Sequence, residues 1–190
     1  MISDESLLDD CLAGGRKAQN MLYRKYASTM MALCMRYARD RSEAEDLLQE
    51  GFLKVFQNIS SYRKEGSFEG WIKRIMINNA LNQFRKNKRL PFHKDIEEIN
   101  EIEILSAEEA KEVDFQISSD TLLSLIQKLP PGYRVVFNMY VFEEYSHKDI
   151  AESLNISENT SKTQLLKARR FLRKRLAELR PTIKTVPVDG

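Results

Sequence analysis

Apolar residues recur at helical spacing along almost the whole of this chain, and the one stretch where the pattern gives out divides it in two. Leu22, Tyr26, Met30, Leu33 and Tyr37 share one helical face, and Ala44, Leu47, Leu48, Gly51, Phe52, Val55, Phe56 and Ile59 share another. From Leu90-Pro91 to Ser119 the isoleucines (Ile96, Ile99, Ile102, Ile104) are diluted by glutamate, and periodicity resumes only afterwards. With 7 Gly and 5 Pro in 190 residues, turn-rich sheet architectures have little support. The expected fold is all-α: two small helical domains, 1–90 and 120–180, joined by an acidic flexible linker, 91–119, and followed by a tail, 181–190.

In the first domain the spacing predicts helices over Asp4–Ala13, Lys17–Arg39, a third starting at Ser42, and Ser67–Lys88. Gly14-Gly15 stops the first, and Ser42-Glu43-Ala44-Glu45 fits a capping box for the third. The last helix buries Phe68, Trp71, Ile72, Ile75 and Phe84. A short helix over 106–113 fits within the linker. In the second domain helices are predicted over Asp120–Lys128, Tyr133–Phe142, Ser146–Leu154 and Ser157–Leu179, with Pro130-Pro131 ending the first of them.

Charge follows the same division. Residues 61–90 hold eight basic side chains against two acidic, and residues 162–180 hold eight against Glu178 alone, net charges of +6 and +7. Residues 91–119 carry nine acidic groups against Lys94 and Lys111, a net of −7. A single charge run is usually a solvated helix face, but two basic blocks around an acidic connector suit two polyanion-binding surfaces.

Catalytic chemistry has little to stand on. Cys11 and Cys34 form no CxxC, and His93 and His147 lie far apart, so no metal cluster or nucleophile–base pair suggests itself. No cofactor is expected. No apolar run approaches the ~20 residues of a membrane span, and the acidic start is unlike a secretory signal, so a cytoplasmic protein with reduced thiols is expected.

Residues 147–162 have the build of a helix-turn-helix. Ala151 is small where two helices cross, Asn155 tolerates positive φ in the turn, and Ile150, Leu154 and Ile156 bury the junction. The second helix offers Asn159, Thr160, Ser161, Lys162 and Gln164 to base edges in a major groove, and Lys167, Arg169, Arg170 and Arg173 to phosphates.

The first domain has a different polar face. Arg74, Asn78, Asn82 and Arg85 follow spacings of four, four and three, so they line one side of a helix. Asparagine pairs with base edges and arginine holds phosphate, while Tyr62, Arg63, Lys64 and Phe68 beside them suit an unstacked base. Trp71 reads as a core residue. On the preceding helix Asp46, Gln49, Glu50 and Leu53 form an edge beside the apolar stripe, which fits a domain boundary or a docking surface for a partner helix.

With these residues in view, the chain resembles bacterial sigma factors of the sigma-70 family, in the minimal extracytoplasmic-function (ECF) group, over about residues 20–90 and 120–178. Glu45-Asp46-Leu47-Leu48-Gln49-Glu50-Gly51-Phe52 is similar to the family's signature for docking on the clamp coiled coil of the largest RNA polymerase subunit. Phe68-Glu69-Gly70-Trp71-Ile72-Lys73-Arg74-Ile75, followed by Asn78 and Asn82, resembles the segment that opens and reads the −10 element. Leu129-Pro130, then Tyr133 through Phe137 and Tyr145 through Ala151, resembles the start of the −35-reading domain. The chain departs from the family at Ser161, where an apolar residue is usual, and at Gln164, where arginine is common.

The resemblance implies a transcription initiation factor without catalysis of its own. It would bind core RNA polymerase through its clamp coiled coil and flap region, read promoter DNA with both domains, and lay its linker in the nascent-RNA channel. It also admits an anti-sigma partner that masks these surfaces. The competing reading is a conventional helix-turn-helix regulator that binds duplex tightly without polymerase; a helical interaction protein with incidental basic faces is the third.

Overall fold

The computed structural model describes residues 4–87 and 118–179, so the expected linker (apart from its last two residues), its short helix and the tail lie outside the described residues. Among the described residues there are eight α-helices and no strand. The all-α expectation holds.

The first four helices are α1 (Asp4–Leu12), α2 (Arg16–Tyr37), α3 (Arg41–Asn58) and α4 (Phe68–Asn87), with a 3-10 turn at Ile59–Ser61. Gly14, at φ +80°, ends α1 in a conformation that side-chain-bearing residues resist. The start of α3 differs from the expected box at Ser42. Asp40 is the N-cap, its carboxylate accepting from the Glu43 amide at 2.9 Å, and Glu43 returns the favour to the Arg39 amide at 2.7 Å. Leu22, Met30, Ala44, Val55 and Ile72 are entirely or almost entirely buried between α2, α3 and α4. Helices α3 and α4 approach closely at Gly51, where an added Cβ would lie 2.1 Å from the Met76 sulfur.

The second half comprises α5 (Ser119–Gln127), α6 (Pro131–Val141), α7 (His147–Leu154) and α8 (Glu158–Glu178). Pro131 opens α6 rather than only ending α5, because the first helical position has no use for an amide hydrogen. Ser146 and Asp149 form a reciprocal capping box at α7. Asn155 sits at φ 53°, ψ 55°, and the Ile156 amide reaches back to the Ala151 carbonyl at 3.1 Å, closing the turn that launches α8.

The sequence predicts two separate bodies, yet the two halves touch. Helix α2 packs against α5 and α6, and α4 meets α7, so the buried apolar residues of both halves form one cluster. The carbonyls of Met35 and Arg36, at the end of α2, accept from Gln127 Nε2 (3.1 Å) and Asn138 Nδ2 (2.8 Å). These carbonyls have no acceptor role inside α2, so the second half satisfies them.

Candidate nucleic-acid and partner interfaces

On α3, Asp46, Gln49 and Leu53 are exposed, Leu53 at 61% despite being apolar. Glu50 is half-buried and accepts from Lys54 Nζ at 2.9 Å, which holds its carboxyl below the usual range. The same ammonium donates to Asn79 Oδ1 on α4, and Asn79 Nδ2 donates to the Leu47 carbonyl at 3.1 Å. Asn79 is 1% exposed, so it serves helix pairing rather than an outside ligand. Tyr23 of α2 packs its ring 4.7 Å from Phe52 and adds a partly exposed aromatic to the same side. The four predicted edge residues therefore lie on an open surface with an apolar centre.

The second predicted face surrounds the loop before α4. The Tyr62 hydroxyl donates to the Gly66 carbonyl at 2.8 Å and closes the loop that carries exposed Arg63 and Lys64. Phe68 and Trp71 stack at 5.6 Å with planes 12° apart, and Tyr62 lies 4.9 Å from Phe68 and 5.6 Å from Trp71. Burial of these rings is as expected at Phe68 but not at Trp71. Phe68, also predicted to meet a base, is 7% exposed and forms the floor of the cluster, whereas Trp71, predicted as core, is only half-buried at its edge. As the first residue of α4, Phe68 points back toward Tyr26, where α2 covers it. Trp71→Ala is thus expected to cost about 1–2 kcal/mol, below the ~3–5 kcal/mol of a fully buried aromatic. A urea-unfolding midpoint series measures this.

Arg74, Asn78, Asn82 and Arg85 are all exposed along α4. Asn82 Oδ1 accepts from Arg85 Nη1 at 2.7 Å, and Arg85 Nε donates to the Ser153 carbonyl of α7 at 2.9 Å. Arg74 faces an open cleft whose other wall carries Glu143, Glu144, Asp149 and Glu152.

The third face is α8. Asn159, Lys162, Arg169, Arg170 and Arg173 are exposed, and Thr160 and Lys167 are partly so. Ser157 caps the helix, accepting from the Thr160 amide at 3.0 Å. Two predicted base readers point the other way: Ser161 is 0% exposed and Gln164 6%. Both fall on the inner side with Leu165, Ala168 and Leu172, because one residue turns 100° about the axis. Ser161 Oγ lies 2.9 Å from His147 Nδ1, so it ties α8 to α7. Burial and the Lys162 charge lower the His147 pKa, and the His147 ring stacks 4.7 Å from that of Tyr140. The Arg169 guanidinium lies 5.7 Å from the centre of the Tyr140 ring.

Sequence reasoning passed over two outward residues, Thr163 and Leu166, the latter 49% exposed. The signal was available: extending the inner stripe Leu165, Ala168, Leu172 back by four reaches Ser161, and the opposite side then reads Asn159, Thr163, Leu166 and Arg170.

The remaining chemistry is sparse. No group of three metal-ligating side chains gathers among the described residues, and no described helix is long and apolar enough to cross a membrane. Cys11 and Cys34 are buried, and burial pushes the Cys34 thiol up to about 12, far from a reactive thiolate.

Two family models match separate stretches of the chain. Residues 22–90 match Sigma-70 region 2, and residues 119–172 match Sigma-70 region 4. The chain is 32% identical over 163 residues to the ECF RNA polymerase sigma factor SigW of Bacillus subtilis, covering 81% of this chain and 86% of that one. It is 27% identical over 184 residues to the RNA polymerase sigma-H factor of Pseudomonas aeruginosa, covering 93% and 95%. Among solved structures, the sigma factor RpoE from Bartonella quintana, in complex with the anti-sigma factor NepR, matches at 19% identity. That match has a TM-score of 0.51 and covers 85% of this chain and 98% of that one, a likeness of fold. On these matches, the chain belongs to the sigma-70 family of RNA polymerase sigma factors, in its extracytoplasmic-function group.

Proposed function

We propose that each of the three surfaces has one task in transcription initiation by RNA polymerase, the process in which this family acts. The α3 edge (Asp46, Gln49, Glu50, Leu53) docks on the clamp coiled coil of the polymerase's largest subunit. Helix α8 enters the −35 major groove with Asn159, Lys162, Thr163 and Leu166 toward base edges, and Lys167, Arg169, Arg170 and Arg173 toward phosphates. The α4 face (Arg74, Asn78, Asn82, Arg85) with Tyr62, Arg63, Lys64 and Trp71 holds unpaired −10 bases. The protein performs no bond chemistry; it lends sequence preference to the enzyme it joins.

The observation that carries this reading is the outward ridge of α8, presented by a capped helix-turn-helix whose sharp turn is made by Asn155 at φ 53°. Opening duplex costs roughly 1.4 kcal/mol per base step, so the α4 face has to offset several such steps. Stacking on Tyr62 and Trp71, at ~1–3 kcal/mol per base, is of the right size. Run-off transcription with purified core polymerase and a promoter library tests the whole assignment. Start-site choice conferred by the chain supports it, and transcription indifferent to the chain overturns it.

Substitutions on α3 and on α4 separate the two surfaces. Gln49→Ala with Glu50→Ala is expected to weaken association with core polymerase while thermal unfolding stays close to wild type, because Gln49 is exposed and half-buried Glu50 gives up only a partly exposed ion pair with Lys54, worth about 0–1 kcal/mol. A pull-down at matched concentrations measures it, and undiminished capture counts against the edge. Asn78→Ala or Asn82→Ala is expected to impair strand opening more than initial promoter binding, read by permanganate reactivity of the exposed thymines.

A further inference from the structure

We propose that His147 and Arg169 together grip one backbone phosphate of the −35 duplex, and that the imidazole takes up a proton from solvent as the phosphate arrives, so that this contact tightens as pH falls. This deepens the −35 role assigned to α8 above and rests on it.

Three elements meet at this point. His147 opens α7, and its Nδ1 lies 2.9 Å from the hydroxyl of Ser161, which is 0% exposed on α8. The His147 ring stacks on Tyr140 of α6, and the Arg169 guanidinium lies against the same Tyr140 ring. One edge of the imidazole is thereby tied to a buried group, and Nε2 is on the opposite edge of a half-buried ring. A hydroxyl both donates and accepts, so Ser161 serves Nδ1 in either protonation state. When the hydroxyl donates, Nε2 carries the hydrogen of the uncharged ring; when it accepts, both nitrogens carry one. Nε2 is a donor in both cases, and the ring need not turn between them. A phosphate, with two unesterified oxygens, accepts from Nε2 and from the exposed Arg169 guanidinium together. The location suits a backbone contact, because the helix before a recognition helix crosses the phosphate chain at the groove edge.

The charges around the ring set the direction of the pH effect. Lys162, Arg169 and Glu158, all on α8, act on the imidazole, and α6 contributes the Tyr140 ring. On α7, exposed Lys148 follows it, and the Asp149 carboxylate turns back to accept from the Ser146 amide at 3.1 Å. Burial first, then Lys162 and Arg169, hold the imidazole pKa below the usual histidine value, with Glu158 opposing them. The free ring therefore carries little charge at about pH 8. A phosphate set against it favours the charged form and raises its pKa. Affinity then begins to rise as pH falls through the pKa of the bound ring, and levels off below that of the free ring.

Anisotropy titrations of a −35 duplex with holoenzyme carrying the full chain, at fixed ionic strength, test this. Between pH 8 and pH 6 wild type is expected to gain about fivefold more affinity than His147→Gln, whose amide takes up no proton. Replacing single phosphates by uncharged methylphosphonates locates the contact: one position is expected to abolish the extra gain of wild type and to leave the pH response of His147→Gln as it was. An equal gain in His147→Gln, or a gain that no single neutral phosphate removes, overturns the proposal. Alanine at Lys167, Arg170 and Arg173 tells its failure from that of the α8 reading. If that triple substitution leaves duplex affinity and its salt dependence unchanged, α8 does not lie on the DNA and both fall. If it weakens binding while the pH response is the same with and without His147, only the phosphate grip falls.

Discussion

Alanine at Lys167, Arg170 and Arg173 together is expected to lower affinity for a −35 duplex about a hundredfold at physiological salt. Arg170 and Arg173 are exposed and Lys167 partly so, and none is buried in the packing of α8 against α6 and α7. Each phosphate contact contributes a slope of about −0.9 in log affinity against log salt, so losing three removes nearly three units of slope and about two decades of affinity. Anisotropy titrations of the holoenzyme on a −35 duplex at several salt concentrations measure both quantities. Replacing Thr163 and Leu166 instead is expected to leave the slope unchanged while altering which bases are preferred, because an apolar contact reads a thymine methyl and releases no counterion. A slope that survives the triple substitution would remove α8 from the phosphate backbone.

Ile150→Ala is expected to be the most damaging single change in the second half. Ile150 is 0% exposed at the junction of α6, α7 and α8, where Ala151, Leu154, Leu165 and Ala168 are also buried. Truncating such a residue costs about 2–5 kcal/mol, and a unit of this size has only roughly 3–9 kcal/mol in total. The recognition helix then loses its support, and promoter-specific transcription falls even though no DNA-facing side chain has changed. Circular dichroism and limited proteolysis are expected to show α5–α8 melting at a temperature where α1–α4 persist. A single, barely shifted transition in both halves would argue against this.

The helical content of the chain was legible because the apolar spacing is dense and almost free of competing signals. The stripes on α2 and α3 are buried nearly as the spacing predicts, and Ser146, Asn155 and Ser157 occupy the cap and turn positions that their chemistry suggests. The errors have local physical causes. Ser42 looked like a cap, but Asp40 stands two residues earlier with a stronger acceptor. Ser161 and Gln164 looked like base readers because they are polar, although the register of Leu165 and Leu172 places them inside; the family's usual apolar residue at the Ser161 position pointed the same way. Trp71 is less covered than Phe68 because which ring is buried depends on α2, far away in sequence. The seam between the halves was invisible for the same reason, since Arg36 and Glu143 are 107 residues apart and each alone reads as an ordinary surface charge.

Asn79 was also passed over, being a polar residue beside the more conspicuous Asn78, yet its amide joins the Leu47 carbonyl and shares the Lys54 ammonium with Glu50. With Gly51 pressed against Met76 one turn further along α3, two helices are bolted together at adjacent levels. Helices joined in this way share their displacements, so on the roles proposed above a loosened bolt is expected to slow strand separation rather than weaken attachment.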